Sequence, residues 1–143
     1  MCRVLVVDDD KVRLSRVQRL VSEIVPGCDV IAIRSFADAE AWLDGPPFAT
    51  LDLAIVDLFL KSEPPEDRGE GAGLIKRVRE QFHGCPCILI SSYESLSDLQ
   101  RRLPDSRGVK FVSFNYTAQS MWGQLRESIA DALQAQAAAA SLH

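Results

Sequence analysis

Short apolar runs alternate with longer stretches of helical periodicity along the whole of this chain. Each apolar run is rich in Val, Ile and Leu, as expected for a strand that is buried on both faces. Strands that alternate with helices form parallel sheets, and their right-handed crossovers place helices on both faces. The sequence therefore predicts an α/β fold, a doubly wound five-stranded parallel sheet, in a chain of 143 residues.

The positions of the elements follow from the two periodicities. Strands are predicted at residues 4–7, 30–33, 53–56, 87–90 and 110–114. Helices are predicted at residues 11–25, 37–43, 74–81 and 95–103, before a last helix that Thr117 would cap. The first helix is expected to bury the residues that recur at helical spacing, namely Val12, Val17, Leu20, Val21 and Ile24. We assign the folded domain to residues 1–133, the alanine-rich tail to 134–143, and a polar loop to 61–71.

Charge and composition exclude several classes of function. The net charge is -4, whereas a surface that binds nucleic acid is normally basic. The first apolar run ends after four residues at three acids, which is too short for a membrane span or a secretory segment. We therefore expect a cytoplasmic protein that binds neither nucleic acid nor membrane. The four cysteines lack metal-site spacing and are interpreted as small reduced apolar residues: Cys2, Cys28, Cys85 and Cys87.

Carboxylates follow the first and third predicted strands. Asp8 and Asp9 come directly after the first apolar run, and Asp57 comes directly after the third, whereas Asp10 is interpreted as a helix-start acid. The ligand crevice of an open parallel sheet lies beyond the carboxyl ends of its strands. Crowded carboxylates oppose one another's ionisation unless a cation lies among them. The sequence thus predicts an acidic pocket for a divalent metal and phosphate chemistry.

Four segments carry a resemblance to a known family. They are VLVVDD at 4–9, DLAIVD at 52–57, GLI at 73–75 and PCILISS at 86–92. In this order they resemble the receiver domain of two-component response regulators, and the resemblance spans residues 3–133. It implies the flavodoxin-like strand order 2-1-3-4-5. It also implies a signalling role, with phosphotransfer and autodephosphorylation at one residue, and not an enzyme with other substrates.

The resemblance implies roles for individual residues of the acidic pocket. Asp57 would be the phosphoacceptor, forming an acyl phosphate. Asp9 would bind Mg²⁺ directly and Asp8 would bind it through water. Asp57 and the backbone carbonyl of Phe59 would complete the protein's ligands, a set that suits a hard cation.

The family's readout residues and partners are also implied. Ser91 would be the switch hydroxyl and Phe111 the switch aromatic. The phosphodonor would be a histidine kinase or a histidine phosphotransfer protein. A downstream protein would dock on the fourth and fifth helices and the fifth strand, and a homodimer is a further option. Met121, Trp122 and Leu125 are candidates for that surface, although we expect them in the core.

The chain departs from the family at the fifth strand. Phe114 stands where receivers carry a lysine, and Asn115 stands where a proline follows it. Lys110 comes too early to replace that lysine, and a neutral aromatic ring cannot supply a cationic hydrogen bond. We hypothesise that a basic residue near the pocket or in the long loop stands in for it. The candidates are Lys11, Lys61 and Arg68.

Three alternatives compete with this interpretation. The missing lysine favours a pseudo-receiver, an interaction module that is not phosphorylated. Asp8, Asp10 and Val12 match the nucleophile motif of haloacid-dehalogenase-type phosphatases, but the later lysine and acidic pair of those enzymes are missing. A Rossmann-like nucleotide binder is disfavoured because acids, not a glycine-rich turn, follow the first strand.

Overall fold

The structure, a computed structural model, describes residues 2–45, 50–57, 70–91, 108–113 and 118–141. These residues form five strands and four helices. The strands are β1 (Arg3–Val7), β2 (Asp29–Ile33), β3 (Leu53–Asp57), β4 (Cys87–Ser91) and β5 (Val109–Ser113). The helices are α1 (Lys11–Ile24), α2 (Phe36–Asp44), α3 (Glu70–Gln81) and α4 (Ala118–Ser141).

The five strands form one parallel sheet in the order β2-β1-β3-β4-β5. The predicted fold class and strand order are therefore confirmed. The central strand β3 is buried over its whole length, as its continuous apolar run indicates. Val7 of β1 lies beside Val56 of β3, and Asp57 lies beside Ile90 of β4. This register brings the carboxyl ends of three strands to the same edge of the sheet.

Alternate residues of each strand point to opposite faces of the sheet and build two separate cores. On one face, Leu5, Ala54 and Leu89 pack with the buried residues of α2 and α3. On the other face, Ile55 packs with the buried residues of α1 and α4. Helices therefore cover both faces, as predicted. Among the described residues, no helix is both long and apolar enough to cross a membrane.

The amino-terminal end of α1 is closed by Asp10. Its side chain accepts hydrogen bonds from the backbone N–H groups of Val12 and Arg13, so the predicted helix-start acid is the N-cap. The expectation that Val12 is buried was wrong, because its side chain is 78% exposed. Leu14 takes that place in the core. Val12 precedes Leu14 by two residues, which turns it by about 200° around the helix and towards solvent.

We expect replacement of Asp10 by Ala to lower the free energy of unfolding by about 1 kcal/mol, the usual cost of a lost N-cap. Urea denaturation of the purified chain would measure it. Asp10→Ser keeps an acceptor without the charge and should recover most of the loss. Gln18→Ala, on the exposed face of α1, is the control and should change little. An Asp10→Ala protein as stable as the wild type would contradict this role.

Most predicted boundaries agree with the structure to within a residue or two. The predicted loop at 61–71 was wrong at its end, because α3 begins at Glu70. Gly71 and Gly73 lower the intrinsic helix propensity there, but Gly71 is buried and tertiary packing overrides that preference. Residues 58–69 and the predicted helix at 95–103 lie outside the described residues. Helix α4 continues to Ser141, so part of the alanine-rich tail is helical, while the boundary at 133 stays a prediction.

Candidate functional site

Three carboxylates meet at the carboxyl edge of the sheet. Oxygen atoms of Asp8, Asp9 and Asp57 all lie within 4.8 Å of one another. Asp57 is the last residue of β3, and Asp8 and Asp9 directly follow β1, the neighbouring strand. The structure thus brings together the three acidic side chains that the sequence singles out. Within the described residues, this is the one cluster of at least three side chains with the donors to hold a metal ion.

Two of these carboxylates are withdrawn from water. Asp8 is 1% exposed and Asp57 is 6% exposed. The backbone N–H of Asp8 donates to the carbonyl of Ile33 at the end of β2, over 3.0 Å. The N–H of Asp10 donates to Oδ1 of Asp8 over 2.9 Å. These bonds fix the position of Asp8, but a buried carboxylate also needs a compensating positive charge.

Arg13 supplies that positive charge. Its Nε donates to Oδ2 of Asp8, and its Nη2 donates to Oδ1 of Asp8 over 2.8 Å. The same Nη2 also donates to Oδ2 of Asp57 over 2.8 Å. The guanidinium therefore grips Asp8 with two parallel bonds and joins it to Asp57. An arginine from the first turn of α1 thus links the ends of β1 and β3.

The surroundings of Arg13 keep it charged. Burial of the guanidinium lowers its pKa, but the hydrogen bond to Asp8 and the charges of Asp8 and Asp57 outweigh that effect. The pKa of Arg13 is consequently raised above its ordinary value. In their ionised forms, the three carboxylates exceed this single positive charge. The oxygen donors and their excess negative charge fit a hard divalent cation such as Mg²⁺.

Arg13 is not among the cations that the sequence predicts for this site. Of the predicted candidates, Lys11 has an exposed side chain, and Lys61 and Arg68 lie outside the described residues. A signal was nevertheless present in the spacing. Arg13, Val17, Leu20 and Ile24 follow the i, i+4, i+7, i+11 pattern of one helix face, so a charged residue interrupts an inward-facing stripe.

Two further predicted residues lie on β4 and β5. Ser91 is the last residue of β4 and pairs with Ser113 of β5, one position beyond the pairing of Ile90 with Asp57. Its backbone therefore lies at the same edge of the sheet as Asp57. Phe111 is half-buried on β5 and packs against the core that α2 and α3 cover.

Of the remaining positions that the resemblance singles out, the structure describes some and not others. Lys110 is exposed on β5 and pairs with Ile88, towards the amino-terminal end of both strands. It is thus away from the carboxyl edge where the acids meet, in agreement with the sequence interpretation. Phe59, Phe114 and Asn115 lie outside the described residues.

The cysteines are free thiols in two pairs of neighbours. Cys85 and Cys87 are buried, while Cys2 and Cys28 are half-buried at adjacent ends of β1 and β2. Burial, followed by a hydrogen bond with Cys2, raises the pKa of Cys28 to about 12. The raised pKa keeps the thiol of Cys28 protonated at neutral pH.

We expect slow alkylation of Cys28 in the native protein, because the thiolate is the reactive form. A pKa raised from 9.0 to about 12 lowers the thiolate population at pH 8 by roughly 1000-fold, since each pKa unit is a factor of ten. Peptide mass spectrometry after timed exposure to iodoacetamide would measure the rate. The same protein in concentrated urea is the control. Equal rates in native and unfolded protein would contradict the proposed environment.

The fold is that of response regulator receiver domains. A receiver protein from Sinorhizobium medicae WSM419 superposes with a TM-score of 0.70 and 21% identity, over 94% of this chain and 96% of that one. The receiver domain of an HD domain-containing protein from Pseudomonas fluorescens Pf-5 gives a TM-score of 0.68 and 23% identity, over 96% and 98%. A receiver protein from Pseudoalteromonas atlantica gives 0.67 and 14%, over 96% and 98%.

These similarities concern the fold, because sequence identity to each of the three structures is below 25%. No family model and no curated protein matches the sequence. The resemblance predicted from four short segments is therefore confirmed by three-dimensional structure over nearly the whole chain.

Proposed function

We propose that this protein is a receiver of two-component signal transduction that accepts a phosphoryl group on Asp57 with Mg²⁺ bound. The observation that supports it most is the convergence of Asp8, Asp9 and Asp57 at the carboxyl edge of a receiver fold. Ligand sites of open parallel sheets lie at this edge.

The metal would be held by oxygen atoms of this chain. Asp9 and Asp57 would bind it directly, with Asp8 through water and the backbone carbonyl of Phe59 as a further ligand. Bound Mg²⁺ supplies positive charge that neutralises the carboxylates and the incoming phosphoryl oxygens. Such a cation usually keeps several waters, so few protein ligands are required.

The chain's own residues would orient the transfer and carry the phosphoryl group. A carboxylate oxygen of Asp57 forms a bond to phosphorus while the bond from phosphorus to the donor breaks, and the electron pair of that bond leaves with the donor. Arg13 donates to Oδ2 of Asp57 and orients that carboxylate before the metal binds. Ser91 would bond a phosphoryl oxygen and Phe111 would respond to that movement. Catalysis of this kind is mainly positioning and charge stabilisation.

Incubation with Mg²⁺ and acetyl phosphate is expected to add one phosphoryl group to the chain. Intact-protein mass spectrometry would detect the adduct, and excess EDTA should prevent it. Asp57→Asn should abolish the adduct completely, because the amide is not a nucleophile for this reaction. Asp131→Asn is the control: Asp131 is exposed on α4, near Pro86 and Gly108 at the other end of the sheet, and should leave the adduct unchanged.

A pseudo-receiver is the second candidate, and Arg13 is the observation that favours it. Its guanidinium partly neutralises the pocket from within, so the fold does not depend on a metal to hold Asp8 and Asp57 together. A wild-type chain without adduct under the conditions above would favour this candidate and contradict the proposal.

The phosphatase alternative requires Asp8 as nucleophile. Both oxygens of Asp8 accept hydrogen bonds from Arg13, and Oδ1 also accepts from the N–H of Asp10. That saturation argues against Asp8 as the attacking group. Steady hydrolysis of p-nitrophenyl phosphate, lost in Asp8→Asn and kept in Asp57→Asn, would reverse the assignment.

The partners follow from the proposed chemistry. A cytoplasmic histidine kinase or histidine phosphotransfer protein would donate the phosphoryl group, and a downstream protein would read the result. Met121 and Leu125 are fully buried, so they belong to the core and not to a docking surface. Trp122 is half-buried, with the guanidinium of Arg16 4.1 Å from its ring centroid. A homodimer is also proposed, and light scattering would measure the oligomeric state.

A further inference from the structure

We propose that Arg13 is the resident cation of the acidic site and that a divalent metal binds only when its guanidinium withdraws from Asp57. The inference deepens the proposed function and rests on its metal site. Arg13 would then set the metal affinity of the protein, and the metal-free and metal-bound states would differ in the partner of Asp57.

The first reason for this inference is the set of hydrogen bonds that Asp8 and Asp57 accept. Arg13 takes both oxygens of Asp8 and one oxygen of Asp57. The two carboxylates that it joins belong to the same three-acid cluster that would hold the metal. A guanidinium and a metal ion therefore compete for the same oxygen atoms.

The second reason is the electrostatic repulsion between the Arg13 guanidinium and a divalent ion. A divalent ion within a few ångströms of a guanidinium is repelled by it, and the repulsion is strong where water is largely excluded. Asp8 and Asp57 are both nearly buried, so solvent screens this repulsion poorly. Arg13 cannot relieve it by losing its proton, because arginine stays charged in proteins. The guanidinium must move instead.

The position of Arg13 allows that movement. Its side chain is 19% exposed, at the mouth of the site, and it extends from the first turn of α1. The helix is capped independently by Asp10, whose side chain accepts from two backbone N–H groups. A rotation of the Arg13 side chain towards solvent would therefore leave α1 and the sheet in place.

Calorimetric titration of the metal-free chain with Mg²⁺, without any phosphodonor, tests the inference. Arg13→Gln is expected to bind Mg²⁺ tighter than wild type by about tenfold or more, since a positive charge is removed beside the ligands. Arg13→Lys keeps the positive charge but lacks the forked donors of the guanidinium. Its Mg²⁺ affinity should lie between those of wild type and Arg13→Gln. Arg19→Gln removes the same charge from an exposed position on α1 and should match the wild type.

Unchanged or weaker Mg²⁺ binding by a folded Arg13→Gln protein would overturn the inference, as would the absence of binding by both proteins. Binding by Arg13→Gln alone would support it. A second measurement uses the wild type and so does not depend on the variant folding. The NMR resonance of the Arg13 Nε–Hε group should shift during Mg²⁺ titration towards that of a solvated guanidinium, and a resonance that stays constant at saturation would overturn the inference.

The two proposals fail in distinguishable ways. Failure of acetyl phosphate to modify Asp57, combined with tighter Mg²⁺ binding by Arg13→Gln, would refute the phosphoacceptor function and leave the metal competition intact. Phosphorylation of Asp57 with equal Mg²⁺ affinity in wild type and Arg13→Gln would refute the metal competition and leave the phosphoacceptor function intact.

Discussion

Arg13→Met is expected to lower the free energy of unfolding by about 3 kcal/mol in metal-free buffer at neutral pH. Removal of one partner of a buried ion pair costs roughly 3–5 kcal/mol, because the other charge stays buried without compensation. Arg13 contacts two such carboxylates, but its own side chain is 19% exposed, so we take the lower end of that range. Urea denaturation followed by far-UV circular dichroism would measure the loss.

Two comparisons separate this effect from a general loss of helix stability. Arg19→Met makes the same exchange at an exposed position of α1 and should stay within about 0.5 kcal/mol of wild type, as most surface substitutions do. Added Mg²⁺ should recover part of the loss in Arg13→Met, because a ligand that binds only the folded state stabilises it. Equal stabilities of Arg13→Met and Arg19→Met would show that the ion pair contributes nothing.

Ile55→Ala is expected to cost about 4 kcal/mol of unfolding free energy. Ile55 lies in the middle of β3, the central strand, and its side chain is fully buried against α1 and α4. Truncation removes buried apolar groups and leaves a cavity that the surrounding elements cannot fill, with typical losses of 2–5 kcal/mol. The centre of a parallel sheet is held from both sides, so little relaxation is expected. Urea denaturation would again measure the change.

Smaller changes at matched positions set the scale for this prediction. Ile55→Val removes one methylene and should cost about 1 kcal/mol. Ile31→Ala makes the same truncation on the edge strand β2, where the side chain is only half-buried, and should cost clearly less than Ile55→Ala. If the edge and central truncations cost the same, the central packing described for β3 is wrong.

Local patterns predicted most of the fold. The run Leu53–Asp57 is continuous and apolar up to its last residue, and that pattern alone indicates a strand covered on both faces. The same pattern places Asp57 at the carboxyl end of the strand, and therefore in the crevice of a parallel sheet. Periodicity was less reliable where several apolar residues compete for one helix face, as with Val12 and Leu14. The predicted start of α3 was wrong because the low helix propensity of glycine was given more weight than tertiary packing.

The candidate site was only partly predictable. The positions of its carboxylates can be predicted from the ends of the strands. The cation that joins them cannot be predicted from its distance along the sequence. Lys11 is closer to the acids along the chain than Arg13, yet its side chain is exposed. Helical side chains lean towards the amino-terminal end of their helix, which carries Arg13 back over the edge of the sheet. A polar residue in an inward-facing stripe was the usable signal.

The sequence by itself determined the alternation of strands and helices, and with it the edge of the sheet at which Asp8, Asp9 and Asp57 end. These features depend on interactions within a few residues, namely burial, periodicity and capping. Only the tertiary structure decided that Arg13 bonds to Asp8 and Asp57. That contact joins α1 to β3 across 44 positions of sequence. It forms because two buried carboxylates require a positive charge, and the folded chain brings this one within reach.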